Sequence, residues 1–270
     1  MSAGGDPHFL GFFESFSFKG ECDLLLLSTP SDGYEDQQND KIVQIHIRTT
    51  IQLDFSYISG IAAMIGSNII EIKENGSLWI NGEVAYSQDL TTAQDGFPFS
   101  VTRRFKGKKR KIIVYEIDLY NGLSFEVRAN LKNNMLFIST SGSFPYGTTG
   151  LLGSPTEPGF FTRDGLFNMV GGDADAYAET WQINPDLDPK LFMDDREPQF
   201  PSKCLYPDEQ AAKASLRGRK LLYHDGTRTK VTLEAAKVAC NDMTGVKRDF
   251  CIEDTMRTGD LTLALDEFYH

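Results

Sequence analysis

The bond between Asp6 and Pro7 has the chemistry for self-cleavage. An aspartate carboxyl can attack its own main-chain carbonyl, and the tertiary amide nitrogen of proline leaves readily, so such bonds are acid-labile. His8 completes the segment Gly5-Asp6-Pro7-His8. The same residues also suit a turn at the start of the first strand. We favour this structural role, because short motifs often occur without function.

A second group that could do chemistry is a basic cluster at positions 103–111. Gly107 is placed to form a turn there, which predicts a protruding hairpin between two strands. Its positive field would attract an acidic polysaccharide or an acidic protein face. A solvated hairpin that uses lysine against edge-to-edge pairing is an equally open alternative. The basic residues are Arg103, Arg104, Lys106, Lys108, Lys109, Arg110 and Lys111.

Catalytic signatures are otherwise missing from the sequence. The four histidines are isolated, and no Gly-x-Ser-x-Gly, His-Glu-x-x-His or glycine-rich phosphate loop occurs. Such patterns carry the chemistry of many hydrolases, zinc proteases and nucleotide-binding enzymes. We therefore expect that the protein is not an enzyme.

The overall charge excludes one class of partner. The chain has 27 Lys and Arg against 38 Asp and Glu, a net charge of −11, whereas nucleic-acid binders need a positive surface. Hydrophobic residues make up 40% of the chain, which suffices for a folded core. Apolar runs such as residues 24–27 are far shorter than the roughly 20 residues of a membrane span. We expect no nucleic-acid partner and no membrane span.

From Phe9 to about Trp181, apolar residues alternate with polar ones in short runs separated by Gly, Asn, Asp and Pro. This pattern is typical of antiparallel strands joined by tight turns. It predicts a mainly β fold, an antiparallel sandwich or barrel. The clearest predicted strands are 42–48, 62–67, 69–72, 77–80, 112–117, 124–128 and 135–140.

The pattern changes in the C-terminal third. Residues 184–201 are rich in proline and predict a connector without helix or central strand. Helical spacing follows, which predicts short helices over 210–216, 233–243 and 246–257, the second capped by Thr232.

The four cysteines, Cys22, Cys204, Cys240 and Cys251, are compatible with two disulfides or with four buried thiols. The first residues have neither the basic nor the apolar region of a secretory signal. On these features alone we expect either an intracellular protein or a longer protein whose true start is not included.

Three blocks in order resemble the von Willebrand factor type D domain family over about residues 4–204. The first block runs from Gly5-Asp6-Pro7-His8-Phe9 to the Phe-x-Gly-x-Cys pattern that ends at Cys22. The second is residues 63–72 with the turn at 81–83, and the third runs from Gly150-Leu151-Leu152-Gly153 to residues 177–183. Residues 239–260 are similar to a cysteine-bearing helical module that follows such domains in some proteins.

The resemblance implies an extracellular or cell-surface protein with a type D β-sandwich at 4–204 and a short helical module at 205–270. It implies disulfides that join Cys22 to Cys204 and Cys240 to Cys251. In a secretory pathway, Asn75 of Asn75-Gly76-Ser77 would be a glycosylation site; otherwise the segment is a plain turn. Some proteins that resemble this family cleave themselves at the Asp-Pro bond.

The resemblance also implies a calcium site, because family members hold the ion with the aspartate of the first block and acidic groups of the closing loop. Here Asp6 is kept, but the loop offers only Ser154, Thr156 and Glu157, whereas calcium takes roughly six to eight oxygen ligands, several of them carboxylates. The substitute acids would be Asp164, Asp173 or Asp175. We expect no cofactor and a loop packed by Phe160 and Phe161, with calcium as the alternative.

Together these features predict a non-catalytic module for adhesion or assembly that contacts extracellular proteins or the matrix, within a larger multidomain protein or assembly. The alternatives are self-processing at Asp6-Pro7 and binding of an acidic polysaccharide by the basic hairpin.

Overall fold

The computed structural model describes residues 1–4, 7–30, 41–52, 55–86, 89–92, 98–106, 111–119, 122–168, 173–207, 231–259 and 261. The chain divides into two compact units: Met1–Ile51 with Ser56–Tyr206, and Gln52–Phe55 with Pro207–His270. The fold is an antiparallel β-sandwich followed in the chain by a small helical segment. The alternation of residues predicted a sandwich or a barrel, and the structure is the sandwich. The predicted helix at 210–216 lies outside the described residues.

The first sheet has eight strands within the described residues, in the spatial order β10-β11-β12-β13-β14-β1-β2-β3. Its pairs are antiparallel. The strands are β1 (Ser2–Gly4), β2 (His8–Leu10), β3 (Ser15–Ser17), β10 (Asp89–Thr92), β11 (Phe99–Lys106), β12 (Ile112–Leu119), β13 (Ser124–Asn130) and β14 (Met135–Ser141).

The second sheet has six strands, counted over the same described residues, in sequence order from β4 to β9. A separate two-stranded hairpin, β15 with β16, follows later in the chain. The strands are β4 (Asp23–Pro30), β5 (Lys41–Gln52), β6 (Phe55–Ile65), β7 (Asn68–Lys73), β8 (Leu78–Ile80), β9 (Glu83–Val84), β15 (Phe160–Phe161) and β16 (Phe167–Asn168).

The two sheets enclose one hydrophobic core. In β12 the buried Tyr115 and Ile117 belong to the core, while Glu116 and Asp118 alternate with them on the other face. The Tyr115 hydroxyl donates a hydrogen bond to the Gly76 carbonyl at 2.7 Å, and Gly76 lies in the turn after β7. This bond joins the two sheets inside the core, where an unpaired hydroxyl would cost free energy.

Turn chemistry sets the register of one predicted hairpin. Ile80 of β8 pairs with Glu83 of β9, which leaves Asn81 and Gly82 as a two-residue turn. Both have positive φ, 50° and 82°. This is the conformation that favours Asn-Gly in tight hairpins, because other residues with a Cβ avoid it.

The predicted connector has no helix or named strand and crosses the outer face of the second sheet. Leu191 and Phe192 are buried against Ala62 of β6. Arg48 of β5 binds Asp23 through two hydrogen bonds of 2.8 Å and lies over the Phe192 ring at 4.2 Å. At the connector's end, the predicted disulfide between Cys22 and Cys204 is present.

The first unit also contains α1 (Ala174–Glu179), and the second contains α2 (Leu233–Ala239) and α3 (Gly245–Thr258). Thr232 caps α2 as predicted, because its side chain accepts a hydrogen bond from the Ala235 amide. The predicted disulfide between Cys240 and Cys251 is present, and both cysteines are buried with Met243.

Candidate functional site

Besides a pocket of about 260 Å³ that is lined mainly by acidic and hydroxyl side chains of the first sheet, such as Glu116, Asp118 and Glu126, the described part of the first unit has two pockets with apolar as well as polar lining. One, of about 170 Å³, lies under the connector and is lined by Asp23, His46, Arg48 and Phe192 among others. The other, of about 500 Å³, lies where the loop of residues 146–165 crosses β4. We call that loop the closing loop and its pocket the closing-loop pocket.

Charged groups around the connector pocket are used to hold the connector. Arg48 donates to the Asp194 carbonyl at 2.9 Å, and Lys73 forms an ion pair of 2.7 Å with the Asp194 carboxylate. The Glu71 carboxylate accepts a hydrogen bond from the Met193 amide at 3.1 Å. These contacts make the smaller pocket part of the scaffold, so the closing-loop pocket is the better candidate.

An ion pair between Arg163 and Asp188 fixes the base of the closing loop. The guanidinium donates to the Asp188 carboxylate at 2.6 Å and to the Gln182 carbonyl at 3.1 Å. The Asp188 side chain is fully buried and also accepts from Gln44 and from the Asn184 amide. Burial would raise the pKa of Asp188, but the hydrogen bonds from Arg163 and Asn184 outweigh it and lower the pKa.

The closing loop runs along the edge of β4 as an added strand segment. Ser28 and Thr149 exchange backbone hydrogen bonds of 2.8 and 2.9 Å, and the Leu151 amide donates to the Leu25 carbonyl at 3.0 Å. Gly150 makes this approach possible: its φ is 131°, and a Cβ built there would lie 2.6 Å from the Leu26 carbonyl oxygen.

Replacing Gly150 by alanine is therefore expected to detach the loop from β4 and to lower the free energy of unfolding by roughly 2–4 kcal/mol. Chemical denaturation of the purified protein would measure this. The matched control is Gly165→Ala, because Gly165 also has a positive φ, 80°, but a Cβ there meets open space. Equal losses in the two variants would contradict the steric explanation.

Hydroxyl and aromatic side chains line the closing-loop pocket. Tyr146 is 76% exposed, and Thr149 and Thr156 are exposed near it. Trp181 is nearly buried beneath the loop, where its indole Nε1 donates to the Phe161 carbonyl at 3.2 Å. The sequence reasoning gave no role to Tyr146, Arg163 or Trp181. The sequence did contain a signal for Tyr146, because it is an aromatic residue between Pro145 and Gly147, two residues that are typical of turns.

Ser154, Thr156 and Glu157 do lie together in this loop, but they fit calcium poorly. The Ser154 hydroxyl lies 3.2 Å from that of Thr156 and accepts the Thr156 amide at 3.3 Å. The set thus contains one carboxylate, whereas calcium sites use several. Over the described residues, no group of three or more His, Cys, Asp or Glu side chains is placed to hold a metal. Asp6 lies outside those residues.

The three acids named above as substitute calcium ligands accept hydrogen bonds from backbone amides. Asp164 accepts from the Leu166 amide and from Thr162. Asp173 caps α1, and Asp175 accepts from the Lys19 amide at 3.0 Å. The expected packing of the loop by phenylalanine is present at Phe160, which is buried in the core.

The basic hairpin is formed by β11 and β12, with Lys106 opposite Ile112. Arg103 lies over the rings of Phe105 and Tyr115, and Arg104 forms an ion pair with Glu116. Lys111 is exposed, whereas Lys108, Lys109 and Arg110 lie outside the described residues. Of the described basic residues, Arg103 and Arg104 thus contact side chains of their own sheet.

The remaining predicted sites are the Asp6-Pro7 bond with His8, and Asn75. Asp6 is outside the described residues, so cleavage at its bond to Pro7 stays a prediction. The Pro7 carbonyl accepts from the Phe18 amide at 3.1 Å, and the His8 Nδ1 lies 2.7 Å from the Ser17 hydroxyl. Asn75 is exposed at the turn after β7, where its side chain accepts from the Ser77 amide at 2.9 Å.

No known protein family matches the sequence, and no curated protein is significantly similar to it. Among the described residues, no helix has the length and apolar character needed to cross a lipid bilayer.

Proposed function

We propose that this protein is a non-catalytic extracellular module of von Willebrand type D character, which adheres to or assembles with other extracellular molecules through its closing-loop pocket. The observation that carries the proposal is the exposed Tyr146 at the edge of a pocket whose loop is hydrogen-bonded to β4. Exposed tyrosines beside a pocket are typical of contact sites, because they bury a large area at low entropic cost.

The disulfides support the extracellular part of the proposal. Both bonds join buried cysteines, and disulfides persist mainly in oxidising compartments. Glu21 and Leu205, beside the first disulfide, also exchange backbone hydrogen bonds of 2.7 and 3.1 Å. The disulfide and these hydrogen bonds join segments near the two ends of the first unit, as expected for a module within a longer extracellular chain.

The closing-loop pocket is preferred to the basic hairpin as the contact site. Glu116 compensates the charge of Arg104, and the rings of Phe105 and Tyr115 hold the Arg103 guanidinium against the sheet. The Tyr146 ring, in contrast, is largely exposed.

Binding of the full chain to immobilised fibronectin, collagen, laminin, hyaluronan and heparin, together with its self-association in sedimentation, tests the proposal. We expect retention on at least one surface or self-association, weakened about tenfold or more by Tyr146→Ala, as for an aromatic contact residue. The matched control is Tyr86→Ala, since Tyr86 is 83% exposed and does not line the pocket. An absence of binding and self-association, or equal effects of both variants, would overturn the proposal.

A further inference from the structure

The lining of the closing-loop pocket indicates what it binds. Resting on the proposed function, we propose that this pocket is a binding site for a neutral saccharide. The proposal follows from three properties of the pocket: its hydroxyl groups, its aromatic rings and its charge.

The polar groups of the pocket match the chemistry of a sugar. Thr149 and Thr156 are exposed and Ser154 is half-buried, and each hydroxyl can both donate and accept hydrogen bonds. Sugar hydroxyl groups have the same dual capacity. The Thr156 amide donates to the Ser154 hydroxyl at 3.3 Å, which leaves the Ser154 proton to be directed at an acceptor such as Thr156 or a ligand.

The aromatic groups provide a surface for the apolar face of a sugar ring. Tyr146 presents a largely exposed ring, and the lining also contains Trp181, which is buried, and Phe161, which is half-buried. The hydrogen bond from the Trp181 indole to the Phe161 carbonyl fixes these two residues relative to each other. Pockets that combine aromatic walls with a few placed polar groups are typical ligand sites.

The charge of the pocket favours a neutral ligand over an anionic one. The guanidinium of Arg163 is bound to Asp188 and to the Gln182 carbonyl, so its charge is compensated inside the protein. Glu157 adds an exposed carboxylate to the lining, which would repel a sulfated or carboxylated chain. This distinguishes the pocket from the basic hairpin, whose charge favours a polyanion.

The volume and the position of the pocket allow an oligosaccharide to enter. About 500 Å³ lies within the range of roughly 300–1,000 Å³ that small-ligand pockets occupy. The closing loop is hydrogen-bonded to β4 through Thr149 and Leu151, so the site is formed without the ligand.

Saturation-transfer NMR on the full chain tests this inference, with maltotriose, mannotriose, tri-N-acetylchitotriose and lacto-N-tetraose as probes. Each is used at about 10 mM, since single sugar sites bind weakly. We expect saturation transfer to at least one of them, with an affinity that does not depend on salt because the ligand carries no charge.

Thr156→Val should weaken binding about fivefold through loss of one hydrogen bond. Tyr146→Ala should weaken it about tenfold, and Tyr86→Ala should leave it unchanged.

Saturation transfer to none of the four probes, or binding that survives both pocket variants, would overturn the inference. Binding of a heparin hexasaccharide at Tyr146, lost at high salt, would also overturn it.

The outcomes that would overturn the proposed function are different ones. Retention on a protein surface through Tyr146 without sugar binding leaves the adhesion module intact, whereas sugar binding without retention or self-association leaves only the saccharide site.

Discussion

Replacing Cys22 and Cys204 together by alanine is expected to lower the free energy of unfolding by roughly 5 kcal/mol, on the loop-entropy model. The two residues are 182 positions apart, so their bond restricts nearly the whole first unit in the unfolded chain. Because domains are typically stable by only about 5–15 kcal/mol, the variant should lose about a third or more of the free energy of unfolding. Denaturant titration of the non-reduced proteins would measure the difference.

The matched control is the second disulfide, between Cys240 and Cys251. Its cysteines are only 11 positions apart, so its removal should cost about 3 kcal/mol on the same model, in the helical segment. A larger loss from the second pair than from the first would contradict the loop-length argument.

Asp188→Asn is expected to lower the free energy of unfolding by about 3 kcal/mol at neutral pH, because it leaves the Arg163 guanidinium without its buried partner. The Asp188 side chain is fully buried and Arg163 is 19% exposed, so water compensates little of the loss. The control Asp186→Asn, two residues away and exposed, should change stability little.

The pH dependence of stability separates these variants further. Burial raises the pKa of Asp188, but the Arg163 and Asn184 hydrogen bonds lower it more, so the folded pKa is below its ordinary value. The contribution of the pair is therefore complete above the unfolded pKa of about 3.9 and is lost as pH falls through the folded value. Melting temperatures should converge for wild type and Asp188→Asn at acid pH. A difference that stays constant down to about pH 2 would contradict the assignment.

Local patterns were sufficient to predict the longer strands of both sheets, whereas β1, at residues 2–4, lies before the region in which strands were predicted. In β12 the alternation of Tyr115 and Ile117 with Glu116 and Asp118 matches the two faces of a sheet, because successive side chains of a strand point to opposite sides. Thr232 identified the start of α2, since a threonine side chain at that position satisfies a backbone amide that the helix leaves unpaired. α1 was not predicted, because six residues are too few to show helical periodicity.

The sequence by itself determined the mainly antiparallel β class, the proline-rich connector and the helical segment, because each depends on residues that are neighbours along the chain. The tertiary structure decided for a sandwich over a barrel. The disulfide pairing was predicted from a family resemblance and not from the spacing of the cysteines. Membership of that family stays a prediction. Only the tertiary structure decided the closing-loop pocket. Tyr146, Thr156 and Trp181 meet there because Gly150 lets the loop lie against β4. Contacts between distant residues depend on packing, so no local pattern of residues specifies them.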